Sequence, residues 1–166
     1  GRTVTAANPV RLGDHLFLTA SYGIGANLSK LTHAGLQLIW QDDELFSSQY
    51  CTPVTDGEVL FGIDGRQDGP PGDLKCVDPI GRRTLWRVAG FGYGTLIQAD
   101  GQLLILKSDG TLVLATANRE RFDRLAEARV LSGTARALPA LANGRLFVRD
   151  DDTLKCLLVG TTKSPE

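Results

Sequence analysis

The residues best suited to chemistry in this 166-residue chain are few and widely separated. Two acidic runs stand out, Gln41-Asp42-Asp43-Glu44 and Asp150-Asp151-Asp152. Calcium needs about six to eight oxygen ligands from clustered carboxylates and carbonyls. Asp150-Asp151-Asp152 lies between two apolar segments, where a polar hairpin turn belongs, and the first run follows an apolar segment as a solvated loop. Both are read as turns. His15 and His33 have no partner at metal-ligand spacing and are read as surface histidines. Ser21, Ser47 and Ser48 lack a nucleophile–base arrangement, and no G-x-S-x-G elbow is present. Gly90-Phe91-Gly92-Tyr93-Gly94 has the glycines of a phosphate loop, but it leads into the strand-like run from Thr95 and offers no helix N-terminus to an anion. Three cysteines, Cys51, Cys76 and Cys156, are an odd number without a C-x-x-C pair, which suits neither a zinc site nor a disulfide framework. No residue is assigned as catalytic, cofactor-binding or metal-ligating.

The elements that would position a site are better defined. A formal charge of −1 argues against a nucleic-acid surface, which is usually a basic patch. No apolar run reaches the roughly 20 residues of a transmembrane helix. Hydrophobic residues at 42% allow a sizeable core, and 19 glycines with few long polar tracts imply many turns between short strands. The composition leans all-β.

A repeat organises these strands. Gly13, Gly57, Gly101 and Gly144 follow one another at steps of 44, 44 and 43 residues. An apolar run follows each: Leu16-Phe17-Leu18, Val59-Leu60-Phe61, Leu103-Leu104-Ile105-Leu106 and Leu146-Phe147-Val148. A period of about 40 to 45 residues with several short strands per unit is the signature of β-propeller blades. The blades are expected at residues 8–41, 50–88, 94–131 and 137–159, each of four antiparallel strands, about 3.5 to 4 in all. Asp56-Gly57, Asp100-Gly101 and Asn143-Gly144 read as type I′ hairpin turns between the first and second strands. Third strands run through Leu28-Ser29-Lys30-Leu31, Leu74-Lys75-Cys76-Val77, Leu112-Val113-Leu114 and Leu154-Lys155-Cys156-Leu157. Cys76 and Cys156 hold equivalent strand positions two blades apart, too far for a disulfide, and are read as buried core thiols. Fourth strands end on Trp40 and Trp86. The third unit has no tryptophan, and its charged segment 118–126 is expected to form one or two helical turns.

The run Val77-Asp78-Pro79-Ile80-Gly81-Arg82-Arg83-Thr84-Leu85-Trp86 resembles the tryptophan-docking motif of pyrroloquinoline quinone (PQQ) dehydrogenase propellers, A-x-D-x-x-T-G-x-x-x-W. Asp78 and Trp86 keep its eight-residue separation, with Cys76 at the alanine position. The segment from Leu31 to Trp40 is a weaker copy. The chain resembles most the non-catalytic PQQ-like repeat proteins, which are similar to the propeller lipoprotein of the outer-membrane assembly machinery. That likeness implies a periplasmic or secreted location and tryptophans that pack between blades. A working quinoprotein dehydrogenase would also need a catalytic acid, calcium and often a vicinal cysteine pair. No Cys-Cys occurs here, so PQQ and calcium are not expected, and a catalytic fragment is the lesser alternative.

Propeller topology puts the loops that join second to third strands, and fourth strands to the next blade, on one face. Segments 20–27 and 62–73 and connections 41–50 and 89–94 make that face loop-rich, the usual place for binding on a rigid scaffold. Tyr22, Asp64, Arg66, Asp68 and Tyr93 are the candidate ligand residues, for a protein or carbohydrate. Trp40, Trp86 and Asp78 are assigned to docking. The chain has no methionine and its last unit lacks a fourth strand, so it is expected to be the C-terminal part of a longer propeller. Its Arg2-Thr3-Val4-Thr5 is expected to be an outer strand of a preceding blade. Open blade faces would then require the missing half or a second copy as partner.

Overall fold

The computed structural model describes residues 6–160, so the strand expected at residues 2–5 lies outside the described residues. It is all-β, with fifteen strands in four antiparallel sheets. The first sheet holds β1 (Val10–Leu12), β2 (His15–Ala20), β3 (Gly25–Thr32) and β4 (Gly35–Asp42). The second holds β5 (Val54–Thr55), β6 (Leu60–Asp64), β7 (Asp73–Asp78) and β8 (Arg83–Val88). In the third are β9 (Gly94–Ala99), β10 (Gln102–Lys107), β11 (Thr111–Thr116) and β12 (Asp123–Arg129). The fourth has three strands among the described residues, β13 (Ala140–Ala142), β14 (Arg145–Arg149) and β15 (Leu154–Leu158). Within every sheet the strands pair in sequence order, a meander repeated as a blade, four-stranded in the first three. The fold is a partial β-propeller.

Local chemistry explains the turns. Asp100-Gly101 and Asn143-Gly144 have positive φ at both residues (49° and 71°, 50° and 70°), the I′ geometry that matches strand twist. Asp56-Gly57 departs from that expectation. Only Gly57 has positive φ (102°), and the Asp56 carboxylate instead accepts the N–H groups of Glu58 and Val59 in a longer, side-chain-organised turn. The helical turns expected over 118–126 are absent. Leu114 and Ala115 pair with Ala126 and Arg124 across a bulge, and the alternation within the sheet outweighs the local charge spacing.

Three apolar seams hold the blades together. Phe17, Leu28 and Trp40 of the first blade meet Leu60 and Val77 of the second. Phe61, Cys76 and Trp86 of the second meet Leu96, Leu103 and Ile105 of the third. Leu104 and Leu106 of the third meet Leu146 and Val148 of the fourth. Strand alternation builds this: Leu103 and Ile105 face one neighbour while Leu104 and Leu106 face the other. The terminal blades have no such cover. Leu36 and Leu38 in the first are 57% and 58% exposed, and Leu154 and Leu158 in the last are 71% and 69% exposed. Cys156, expected in the core, is exposed for the same reason, whereas Cys51 and Cys76 are buried.

Candidate functional site

The two faces of the blade array differ in kind. On one, short hairpin turns are stitched to their own sheets, as in the bonds from Leu31 N–H to the Asp14 carbonyl and from Ala117 N–H to the Gly101 carbonyl. On the other, longer loops from successive blades bond one another: Gly65 N–H donates to the Ser47 carbonyl and Gly92 N–H to the Gly72 carbonyl. The loops that join second to third strands are shorter than expected. β2 ends at Ala20 and β3 begins at Gly25, while β6 ends at Asp64 and β7 begins at Asp73.

Tyr22, Arg66 and Asp68 come together on this face. The Tyr22 hydroxyl donates to Asp68 Oδ2 at 3.2 Å and accepts from Gln49 Nε2 at 2.9 Å. The Arg66 guanidinium lies 5.0 Å from the Tyr22 ring centroid, within cation–π range, and its Nε is 3.3 Å from Asp68 Oδ1. The network continues inward: Gln67 N–H donates to Gln49 Oε1, and Gln67 Oε1 accepts from the Tyr50 hydroxyl and from Arg136 Nε, both at 3.0 Å. Tyr22 has φ of +64°, uncommon for a bulky side chain and a strain that the surrounding bonds must hold. Gln49, Gln67 and Arg136 are absent from the sequence assignment. Arg136 sits on the third-to-fourth blade connection, 69 residues from Gln67, and no local pattern marks it.

Two assigned residues lie beneath this surface. Asp64 is paired with the buried Lys75 at 2.5 Å and accepts Ser47 N–H through its other oxygen at 2.8 Å. Lys75 also donates to the Leu45 carbonyl, so the pair ties β6 and β7 to the connection leaving β4. The Tyr93 hydroxyl is buried at the centre of another knot: it meets Ser48 Oγ and the N–H groups of Gln49, Tyr50 and Cys51 at 3.0 to 3.2 Å. Burial raises the pKa of the Tyr93 and Tyr50 hydroxyls above the ordinary phenol value, so both keep their protons. Burial likewise pushes the Cys51 and Cys76 thiols up to about 12, which makes them poor nucleophiles.

Trp40 and Trp86 are buried at blade seams, and Asp78 lies in a turn away from the loop cluster. Trp40 Nε1 donates to the Pro79 carbonyl of the next blade at 2.8 Å, and Trp86 Nε1 to the Asn118 carbonyl at 2.7 Å. Asp78 organises the turn between them, accepting Gly81 N–H and pairing with Arg83. His15 is half-buried against Asp14 at 2.8 Å. In the acidic turn the Asp150 carboxylate is engaged by backbone, accepting N–H groups from Gly133, Asp152 and Thr153. Asp42 is likewise taken by Glu44 N–H, Leu45 N–H and Arg82. Among the described residues no three His, Cys, Asp or Glu side chains cluster as metal ligands. What the surface offers a ligand is an aromatic ring, the two guanidinium groups of Arg66 and Arg136, one carboxylate and amide donors and acceptors.

Solved structures with the same blade arrangement exist. BamB from Moraxella catarrhalis superposes with a TM-score of 0.65 at 14% identity over 89% of this chain, which spans 41% of BamB. The computationally designed Ika4 protein gives 0.68 at 14% identity, covering 96% of this chain and 94% of its own. The designed Ika8 protein gives 0.67 at 13% identity, covering 97% of this chain and 48% of its own. No protein-family model and no curated protein matches the chain. At these identities the likeness defines the fold class alone, a β-propeller.

Proposed function

We propose that this chain is a non-catalytic binding scaffold, half of a propeller ring that presents its loop face to a protein or carbohydrate ligand. The observation that carries the reading is the network of Tyr22, Arg66, Asp68, Gln49, Gln67 and Arg136. It joins loops of three blades around a strained tyrosine and holds no nucleophile–base pair. Ring closure falls to an equivalent half, a second copy or the other half of a longer parent. Two such lengths fill an Ika8-sized ring, since the chain spans 48% of Ika8. Exposed Leu36 and Leu38 at one end, and Phe147, Leu154 and Leu158 at the other, are the surfaces to be covered. A periplasmic or secreted location accompanies this reading through the family resemblance.

Sedimentation tests closure: the isolated chain is expected to run as a dimer with Cys156 shielded from a thiol reagent, and a stable monomer at micromolar concentration refutes it. Binding is tested by titrating oligosaccharide and peptide panels against the wild-type chain and the Tyr22→Ala, Arg66→Ala, Asp68→Ala triple variant. Loss in the variant with unchanged melting supports the loop-face reading, and equal binding by both overturns it. Adding PQQ and calcium separates the dehydrogenase-fragment alternative, because a bound quinone would give a visible chromophore.

A further inference from the structure

The strand register assigns a counterpart to each docking tryptophan. Trp40 pairs with Leu28, which pairs with Phe17, and Trp86 pairs with Cys76, which pairs with Phe61. Each tryptophan sits beside a bulge, between Leu28 and Ser29 or between Cys76 and Val77. In the third blade the same bulge falls between Leu114 and Ala115, Leu114 pairs with Leu104, and its outer partner is Ala126. Ala126 therefore stands where the other two blades have an indole. Phe122, the aromatic residue nearest to Ala126 in the third unit, packs against Trp86 instead, 6.0 Å away in the previous seam. It precedes β12 on the side that faces the second blade.

At that position the structure has a cavity of about 330 Å³. Its walls include the register equivalents themselves, Leu104, Leu114 and Ala126, together with Leu112 of the same blade and Leu141 across the seam. An apolar cavity of about 150 Å³ already takes up benzene. The polar end of the slot is repeated too. Trp86 Nε1 donates to the carbonyl of Asn118, the residue after Ala117, whose N–H bonds the Gly101 carbonyl. In the fourth blade Val159 N–H bonds the Gly144 carbonyl, which makes Gly160 the counterpart of Asn118, and both Val159 and Gly160 line the cavity.

We propose that this cavity is a ligand site for a planar, uncharged bicyclic aromatic with one N–H donor, the indole class. The ring lies on Leu104 and Leu114 over the Ala126 methyl, and the N–H meets a carbonyl of the Val159–Gly160 turn. Anionic aromatics are disfavoured by the carboxylates of Asp100 and Glu127 at the rim, and the aliphatic walls offer a full charge no partner inside. The site lies in the third-to-fourth seam, away from the loop-face network, and opens outward where Ala126, Glu127 and Ala128 are exposed beside the edge strand β15.

Indole itself is the probe, titrated into the full chain by calorimetry and by NMR. Saturable binding, with intermolecular NOEs from indole protons to the Leu112, Leu114 and Ala126 methyls, is the expected result. Ala126→Trp should weaken it by more than about tenfold, because the slot is then filled from within. No saturable binding at millimolar indole overturns the proposal, as do NOEs confined to other residues or undiminished binding in a folded Ala126→Trp variant. Should that variant fail to fold, the NOE pattern on the wild-type chain decides alone.

Discussion

The second-to-third and third-to-fourth seams share one register at the docking position and differ in the residue found there and in the outer strand that faces it, which the fourth sheet lacks among the described residues. In the former, Trp86 lies 6.0 Å from both Phe61 and Phe122 and bonds the facing carbonyl of Asn118. In the latter, Leu104 replaces Phe61, Ala126 replaces the tryptophan and a cavity opens. The backbone geometry, the bulge and the turn bond to the second loop glycine are all retained. The blade is thus specified by backbone pairing and strand alternation, and the indole stiffens a seam that can form without it. This separates two roles often merged in a repeat motif, making the unit and joining units.

The largest effect expected comes from breaking that difference directly. Trp86→Ala should cost about 3 to 5 kcal/mol, the range for emptying a large buried aromatic site, and Trp40→Ala somewhat less because fewer rings surround it. Ala126→Trp is expected to change stability in the opposite direction, by about 0.5 to 2 kcal/mol, as cavity-filling substitutions do. Urea unfolding of the three variants checks both signs. A destabilised Ala126→Trp would mean that the third seam is not a vacant copy of the second.

Legibility in the sequence follows the same division. The repeat at Gly13, Gly57, Gly101 and Gly144 reveals the blades because a hairpin turn is chemically local: one or two residues must adopt positive φ, and few types do so cheaply. Asp56 shows where that reasoning stops, since its carboxylate stabilises a different turn with the same dipeptide. Segment 118–126 misleads because helical charge spacing is a weak local preference, overridden by a neighbouring edge strand that needs a partner. Cys156 is exposed while its register counterpart Cys76 is buried, because burial depends on whether another blade follows. The loop cluster was partly readable: Tyr22, Arg66 and Asp68 converge, but Arg136 and the two glutamines join across sequence separations that no motif spans.

A second comparison lies within the loop face, between its exposed network and the ion pair beneath. Lys75 is buried and Asp64 largely so, and removing one partner strands the other. Breaking a buried pair costs roughly 3 to 5 kcal/mol, and the residual exposure of Asp64 places Asp64→Asn towards or just below the lower end. Arg66→Ala and Asp68→Ala, by contrast, should stay within about 0.5 kcal/mol, as surface changes do. Thermal melts of the three variants measure the contrast. Equal losses would show that the surface network carries structure rather than a ligand.

The smallest effect concerns acid and bears on the weaker seam. Asp150 closes the β14–β15 turn and reaches back to Gly133 on the connection from the third blade, so it helps to hold the fourth blade in place. The Gly133 N–H is the main reason its carboxyl sits below the usual range; burial pushes the other way, and the Thr153 and Asp152 N–H groups outweigh it. A carboxylate whose folded pKa is depressed stabilises the fold fully above the unfolded value of about 3.9, and that contribution disappears as pH falls through the folded value. Asp150→Asn keeps the shape but sets an amide N–H₂ or a single oxygen against donors on both sides, so the variant is weaker than wild type at neutral pH. Below pH of about 4 the gap between them should close, because the wild-type carboxyl is then protonated as well. Melting curves of both chains from neutral pH downward test this. A gap that stays constant through the acid range would show that Asp150 acts through shape alone and that its charge does nothing to hold the fourth blade.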